Sequence, residues 1–391
     1  MNQILRLGVV AIFILVFFIG GALQFYVGIS TTIYTIFIVS LIYLLVLLDV
    51  GVTQKISVNN VVLVSAFFFL IIIISGLFSA TTANKVVLYS IFALIPMGVF
   101  LLIQIIRRRK IKLKKTLSSL AKVAVFVQLP IVLIQKYGYD YLINLNRSNQ
   151  SIADYDFMFG TFFIRSDHAL GFFLLIYLML VLIEYNKGTK KLPWFTIFYV
   201  AATILIMESN LSKVFLIIVL SFYLFIWIFK KLKFTGVFVI AFMAVLIFNA
   251  ALKVPVIKGH YENFQSNYSI QSSKVAFERT TAKRLQVIIV YATQMPLKII
   301  GEGPYDYFNI FTGEFKKTQH YSQLIWSYND LGIVGLLVAI ALGWAISKTL
   351  GLQTRYRRLF FGLVLFYMLM TNVYSDIAIC LSFMLLDEKI D

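Results

Sequence analysis

Lys253-Val-Pro-Val-Ile-Lys-Gly-His-Tyr-Glu262 opens the one long polar interval of this chain, and that interval decides how the rest is read. It begins where an apolar run ends, at Leu252. It continues through a basic segment, Glu278 to Met295, and a turn-rich Gly301-Glu-Gly-Pro304. It closes at Gln319-His-Tyr-Ser322, and the chain turns apolar again at Leu331-Gly-Ile-Val-Gly-Leu-Leu337. On either side of the interval, one apolar run follows another.

Hydrophobic residues make up 60% of the 391 and charged residues 13%. Soluble domains carry about 45–50% apolar and about 25% charged residues. The surplus places the chain among all-α, polytopic integral membrane proteins. A span takes roughly 20 apolar residues at about 1.5 Å each. The sequence predicts twelve of them, near 7–27, 31–50, 58–78, 86–106, 118–136, 167–184, 192–208, 212–229, 234–252, 323–347, 358–372 and 374–387. The last two are short enough to be one long kinked helix. Residues 1–252 then hold nine helices, 253–322 a long outer loop with an amphipathic helix, and 323–391 three more helices. The first span lacks a small-residue cleavage site and reads as a retained signal anchor. Cys380 is the single cysteine, which excludes an intramolecular disulfide, and three histidines leave little for a metal cluster. No metal and no cofactor are expected.

Orientation follows from lysine and arginine. The strongest cluster is Arg107-Arg-Arg-Lys-Ile-Lys-Leu-Lys-Lys115. If it is cytoplasmic, alternation puts Lys187/Lys190/Lys191, Lys230/Lys231/Lys233 and Lys348/Arg355/Arg357/Arg358 on the same side, with both termini. The net charge of +18 therefore reports topology, with anionic lipid as a secondary contact, and calls for no nucleic acid. The acidic, Asn-rich loop from Tyr137 to Ser166 and the long loop fall outside. The long loop nonetheless carries Lys253, Lys258, Lys274, Arg279, Lys283, Arg284, Lys298, Lys316 and Lys317. Outer positive charge runs against the topological bias, and an anionic substrate would account for it.

Each outer motif has a plain reading beside the functional one. Phe277 to Met295 reads as one amphipathic helix stopped by Pro296, able to lie on the outer membrane surface. Arg284 on it could hold a phosphate or simply snorkel. Gly301 and Gly303 let the backbone approach something closely, with no dinucleotide context. His320 stands just before a span, either as a base for a sugar hydroxyl or as a polar anchor. His168 follows Asp167 and Arg165 at another outer span start, as a polar contact or a turn whose Asp167 favours the helix dipole. His260 has no supporting context. Lys213 opens a span, where a cation more often faces a polar cavity than lipid. Asp376 and Asn372 are polar neighbours without an assigned place.

Four stretches, in order, resemble the O-antigen polymerase and O-antigen ligase superfamily of bacterial surface-polysaccharide assembly. They are Gly160-Thr-Phe-Phe-Ile-Arg-Ser-Asp-His-Ala-Leu-Gly171; Ser209 to Phe215 with Ser212-Lys213; Arg284 to Ala292 with Pro296-Leu-Lys-Ile-Ile-Gly-Glu-Gly303; and His320-Tyr-Ser-Gln-Leu324 with Asp330-Leu-Gly-Ile-Val-Gly-Leu-Leu337. The resemblance covers roughly residues 155 to 390. It implies a GT-C-like, inverting membrane glycosyltransferase that uses a sugar chain on undecaprenyl diphosphate, with His320 as base and Arg284 on the diphosphate. Lys213 stands where the family has arginine, which keeps the charge and loses the fork. Arg165 has no counterpart in the pattern; it, Arg279 and His168 are further substrate-binding candidates.

The expected chemistry is a polymerase joining lipid-linked repeat units into an O-antigen or capsule chain at the outer side of the bacterial inner membrane. Cations neutralise the leaving diphosphate, and no carboxylate pair of hydrolase type is evident. A ligase passing the finished chain to lipid A–core would share the same donor motifs. A lipid-linked oligosaccharide flippase or other transporter would show repeats and charges buried at mid-span, and neither is clear. The resemblance also implies membrane lipids, a chain-length regulator and a flippase as partners.

Overall fold

The computed structural model describes residues 1–148, 150–188, 192–207, 209–226, 228, 249, 255–309, 314, 315 and 322–390. The described residues are mostly helical. In order run α1 (Asn2–Val27), α2 (Thr31–Thr53), α3 (Asn60–Phe78), α4 (Ala83–Arg108), α5 (Lys114–Tyr137) and α6 (Asp167–Asn186). Then follow α7 (Trp194–Ile206), α8 (Asn210–Ile226), α9 (Pro255–Asn267), α10 (Ile270–Glu278) and α11 (Arg284–Gln294). Last come α12 (Gln323–Thr349), α13 (Thr354–Met370) and α14 (Ile377–Leu386). Among the described residues, seven helices, α1 to α6 and α12, are long and apolar enough to cross a membrane. The chain is thus a helical, multi-pass membrane protein. Seven of the twelve expected spans coincide with these seven helices; those at 192–208, 212–229, 358–372 and 374–387 fall on helices of 17 residues or fewer, and 234–252 lies outside the described residues except for residue 249.

The helices start where the sequence offers caps. Ser30, Asn59 and Ser322 each accept a backbone N–H three residues on, and Asp376 accepts from both Ala378 and Ile379. Most of α6 is buried, so it forms the middle of the bundle, while α2 and α3 leave Leu47, Leu63 and Phe67 bare on the periphery. An apolar helix exposed in this way has lipid as its solvent.

One end of the bundle is basic. Arg107 pairs with Asp387 at 2.6 Å and donates to the Thr349 carbonyl at 3.0 Å, and Lys187 meets Glu388 at 2.8 Å. Arg108 and Arg109 both close on the buried Asp49, and Arg109 also reaches Asn2 near the N-terminus. The described members of the basic clusters therefore gather at one end with residues 2 and 387–390. Lys190, Lys191 and Lys230 to Lys233 lie outside the described residues.

The opposite end is built from breaks in the helices. Unpaired backbone groups are costly at membrane depth, so each break needs partners from elsewhere. The segment 157–164 is buried without being helical. Gln135 clamps Gly160, accepting its N–H at 2.7 Å and donating to its carbonyl at 2.9 Å. Gln128 treats Thr161 similarly, and Gln24 accepts the Ile164 N–H at 2.8 Å. Two π-helical turns in α1 flank Gly20 and Gly21, and the Phe17 carbonyl there accepts the Thr161 hydroxyl at 2.6 Å. A second break falls inside α12 at Gly332, φ 74°. The loop from Pro296 docks into it: Ile333 donates to Lys298 at 2.8 Å, and the Asp330 carboxylate accepts from Tyr305 and Tyr307. Gly301 is required here, because a Cβ would lie 2.2 Å from Asp330. In the third, residues 371–376, Gln323 accepts from Val373 and Tyr374 and donates its N–H to Thr371.

Two expectations change. Phe277 to Met295 is two helices, not one: Thr280 takes φ 58°, and Arg279 to Lys283 turn the chain from α10 into α11. The loop from Tyr137 to Ser166 is only half a loop, since 157–164 is buried in the bundle. The last apolar run is two helices, as expected, parted by the stitched break.

Gln135→Leu should strip two backbone groups of their partner at once, each worth roughly 1–3 kcal/mol when buried. The expected result is a Tm several degrees below wild type in detergent, while the neighbouring Ile134→Ala, 60% exposed, changes little. Equal melting of Gln135→Leu and wild type would mean that the clamp does not hold the segment.

Candidate functional site

The breaks at 157–166 and 371–376 meet in a cavity of about 630 Å³ at the end of the bundle away from the basic clusters. Its wall includes Thr31, Arg165, His168, Asn372, Ser375 and Asp376. Arg165 sits in the left-handed backbone region, φ 61°, which costs a non-glycine residue roughly 1–2 kcal/mol. The stitched segment before it sustains that conformation, and the side chain is left exposed, donating to the Ser151 carbonyl.

His168 is the second residue of α6. Its Nε2 lies 3.7 Å from Asp376 and its Nδ1 3.9 Å from Asp167, so the ring is held between two carboxylates. Asp376 is itself fixed by two α14 backbone N–H groups, at 2.9 and 3.1 Å. A carboxylate behind an imidazole fixes its orientation, the arrangement a general base needs.

Arg284 is the first residue of α11, and its Nη1 donates to the Met370 carbonyl at 3.1 Å, at the end of α13. Its charge also acts on Asp156 and Asp167. Gln286 ties the start of α11 down, accepting from Lys283 at 2.8 Å and donating to Asn267 at 2.9 Å. Arg279 shares the turn that leads into α11 and is exposed, so it adds charge to the approach rather than to the cavity wall.

Beside Asp167 runs a chain of hydroxyls. Ser209 bonds Asp167, Ser209 and Ser212 are 2.9 Å apart, and Ser212 lies 3.0 Å from the Tyr367 hydroxyl. Gly171 allows this contact, since a Cβ would come within 1.8 Å of the Ser212 oxygen. Lys213, the next residue, is half-buried on the flank of α8 and is not part of the cavity wall. The inward place in this turn belongs to Ser212.

Of the residues expected from sequence, the structure brings Arg165 and His168 into one cavity, with Arg284 beside it. Arg279 and Lys213 sit apart from the wall, and His320 lies outside the described residues. The sequence offers no assigned place for Asp376 and does not single out Asp156. A signal for the first was present: Asp376 is the sole charged residue between Arg358 and Asp387. The described residues hold no group of three His, Cys, Asp or Glu side chains fit for a metal.

No protein-family model matches the chain, and no curated protein matches it.

Asp156 gives the site a pH dependence. Burial pushes its carboxyl above the ordinary range, and the Asp167 charge adds to this, while Arg165 and Arg284 pull it back. The folded protein then holds this proton more tightly than the unfolded chain. Stability falls as pH rises from the ordinary value near 3.9 through the raised one. Asp156→Asn should therefore melt above wild type at pH 7 and together with it at the acid end, in detergent melts across that range. A wild type that gains on the variant as pH rises would reverse the assignment.

Proposed function

We propose that the chain is an inverting membrane glycosyltransferase that polymerises repeat units carried on undecaprenyl diphosphate. The observation that carries this reading is the meeting of Arg165, Arg284 and the His168–Asp376 pair at the end of the bundle opposite the basic clusters. By the positive-inside bias, that end is the outer face of a bacterial inner membrane, and both termini are cytoplasmic. The reading takes with it a GT-C-like fold with twelve spans.

Arg165 and Arg284 bind the diphosphate oxygens, where guanidinium forks suit phosphate. Arg279 and Lys283, on the turn before Arg284, raise the local concentration of the anion. The acceptor hydroxyl attacks the anomeric carbon from the face opposite the diphosphate. Its proton goes to an imidazole, and the breaking C–O bond leaves its electron pair on the diphosphate. The two arginines neutralise that developing charge, which is where such sites gain most of their rate. His320 is the base that the family resemblance implies. Among the described residues, His168 has a geometry suited to that role, because Asp376 stands behind it.

The decisive experiment is the polysaccharide ladder of a deletion strain, on a gel that separates lipid-linked from lipid A-linked sugar. A single repeat unit on lipid A–core is the expected result. Long polymer left on the lipid diphosphate, with bare lipid A–core, would make the protein a ligase instead. Repeat units trapped on the cytoplasmic side would make it a transporter. In the complemented strain, Arg284→Ala should cut polymer formation by about 10²–10³-fold with normal insertion, the usual loss for one charge-stabilising group. Lys213→Ala should cost far less. His168→Ala and His320→Ala, compared side by side, identify the base.

A further inference from the structure

A second cavity, of about 610 Å³, lies at the basic end between α5 and α6. One wall is Lys115, Ser118 and Lys122 of α5, which fall at i, i+3 and i+7 and so share a face. The other wall is Tyr177, Val181 and Glu184 of α6, at i, i+4 and i+7 and so also on one face. Lys114 adjoins them. Three ammonium groups thus face one carboxylate.

Topology alone does not account for these lysines. The expected fifth span began at residue 118, with Lys114 and Lys115 in the preceding loop. In the structure both sit in the first turn of α5, which has no acidic residue to balance them. Cations at the positive end of a helix dipole are unfavourable. Lys122 lies two turns deeper, within an apolar span, and is exposed. A charge at that depth is costly and usually marks a site. The adjoining recess is different: there Lys187 already has Glu388 at 2.8 Å. Among the described residues, neither Lys115 nor Lys122 has an acidic group within 4 Å.

We propose that this cavity holds the phosphate headgroup of an anionic glycerophospholipid, clasped by Lys115 and Lys122. The shape of the walls favours a lipid over a soluble anion. Towards the aqueous end they are Lys114, Lys115 and Glu184; towards the middle of the bundle, beyond the last cation at Lys122, they become Tyr177, Leu180 and Val181. An occupant with a charged head and an apolar body satisfies both ends. Basic pockets between membrane helices on this side are suited to such headgroups. The site is independent of the outer-face chemistry and concerns the opposite leaflet.

Native mass spectrometry of the full-length protein in detergent tests this, with phosphatidylglycerol and phosphatidylcholine as probes. Wild type should retain phosphatidylglycerol in preference to phosphatidylcholine. Lys115→Gln/Lys122→Gln should lower that preference by roughly thirtyfold, at about 1 kcal/mol per lysine, while Lys115→Arg/Lys122→Arg keeps it. Val181→Trp fills the cavity without altering charge and should lose the preference too, which covers the case in which the glutamine pair fails to fold. Lys112→Gln, exposed at the same end, should leave it unchanged. Undiminished preference in Val181→Trp, or equal loss from Lys112→Gln, would reduce the cavity to a diffuse basic surface. Displacement of phosphatidylglycerol by millimolar inorganic phosphate would show a soluble anion to be the occupant instead.

Discussion

A buried backbone amide without a partner is the cost that shapes this molecule. In a bilayer no water can pair it, so the economical chain is an unbroken helix. This protein breaks that rule at 157–166, at Gly332 and at 371–376, and at each place a polar side chain from a neighbouring span repairs it. Gln24, Gln128 and Gln135 hold the first break, Ser75, donating to the Asp330 carbonyl, the second and Gln323 the third. A glutamine is well suited to the task, because one amide offers both a donor and an acceptor to a single exposed peptide. The polar residues buried in these apolar helices are therefore structural first.

The breaks also create the site. An intact α-helix presents its side chains outward and its backbone to itself. An interrupted one opens a cavity and turns residues into it, as Arg165 does from a left-handed backbone and Asp376 does as the cap of α14. Both stand beside His168 because the first and third breaks end at the same height in the bundle. Arg284 arrives from a separate direction, carried on a helical hairpin whose start is tied by Gln286 to Asn267. Cationic groups from distant parts of the chain thus converge on one cavity at the end of the bundle away from the basic clusters, held by hydrogen bonds that do not depend on the occupant.

Much of this was legible in the sequence, and the limits have physical causes. Apolar run length found the helices, and Arg107 to Lys115 found the basic end, because both are properties of contiguous residues. Gly301 and Gly303 announced a close approach, and Gly301 proves to lie against Asp330. What could not be read were pairings across the bundle. Nothing near Gln128 or Gln135 says that residues 160 and 161 lack helical partners. The amphipathic pattern of Phe277 to Met295 is continuous through the turn at Thr280, so periodicity joined two helices into one. Lys213 drew attention by its charge, whereas the residue that packs inward is its silent neighbour Ser212.

The most direct measurement is turnover by the purified protein in liposomes, with a synthetic polyprenyl-diphosphate-linked oligosaccharide supplied from the face that carries Arg165 and Arg284. The account predicts longer glycans on the lipid and free polyprenyl diphosphate in equal number to the new linkages. Unchanged donor in the presence of folded, inserted protein and its native repeat unit would contradict it.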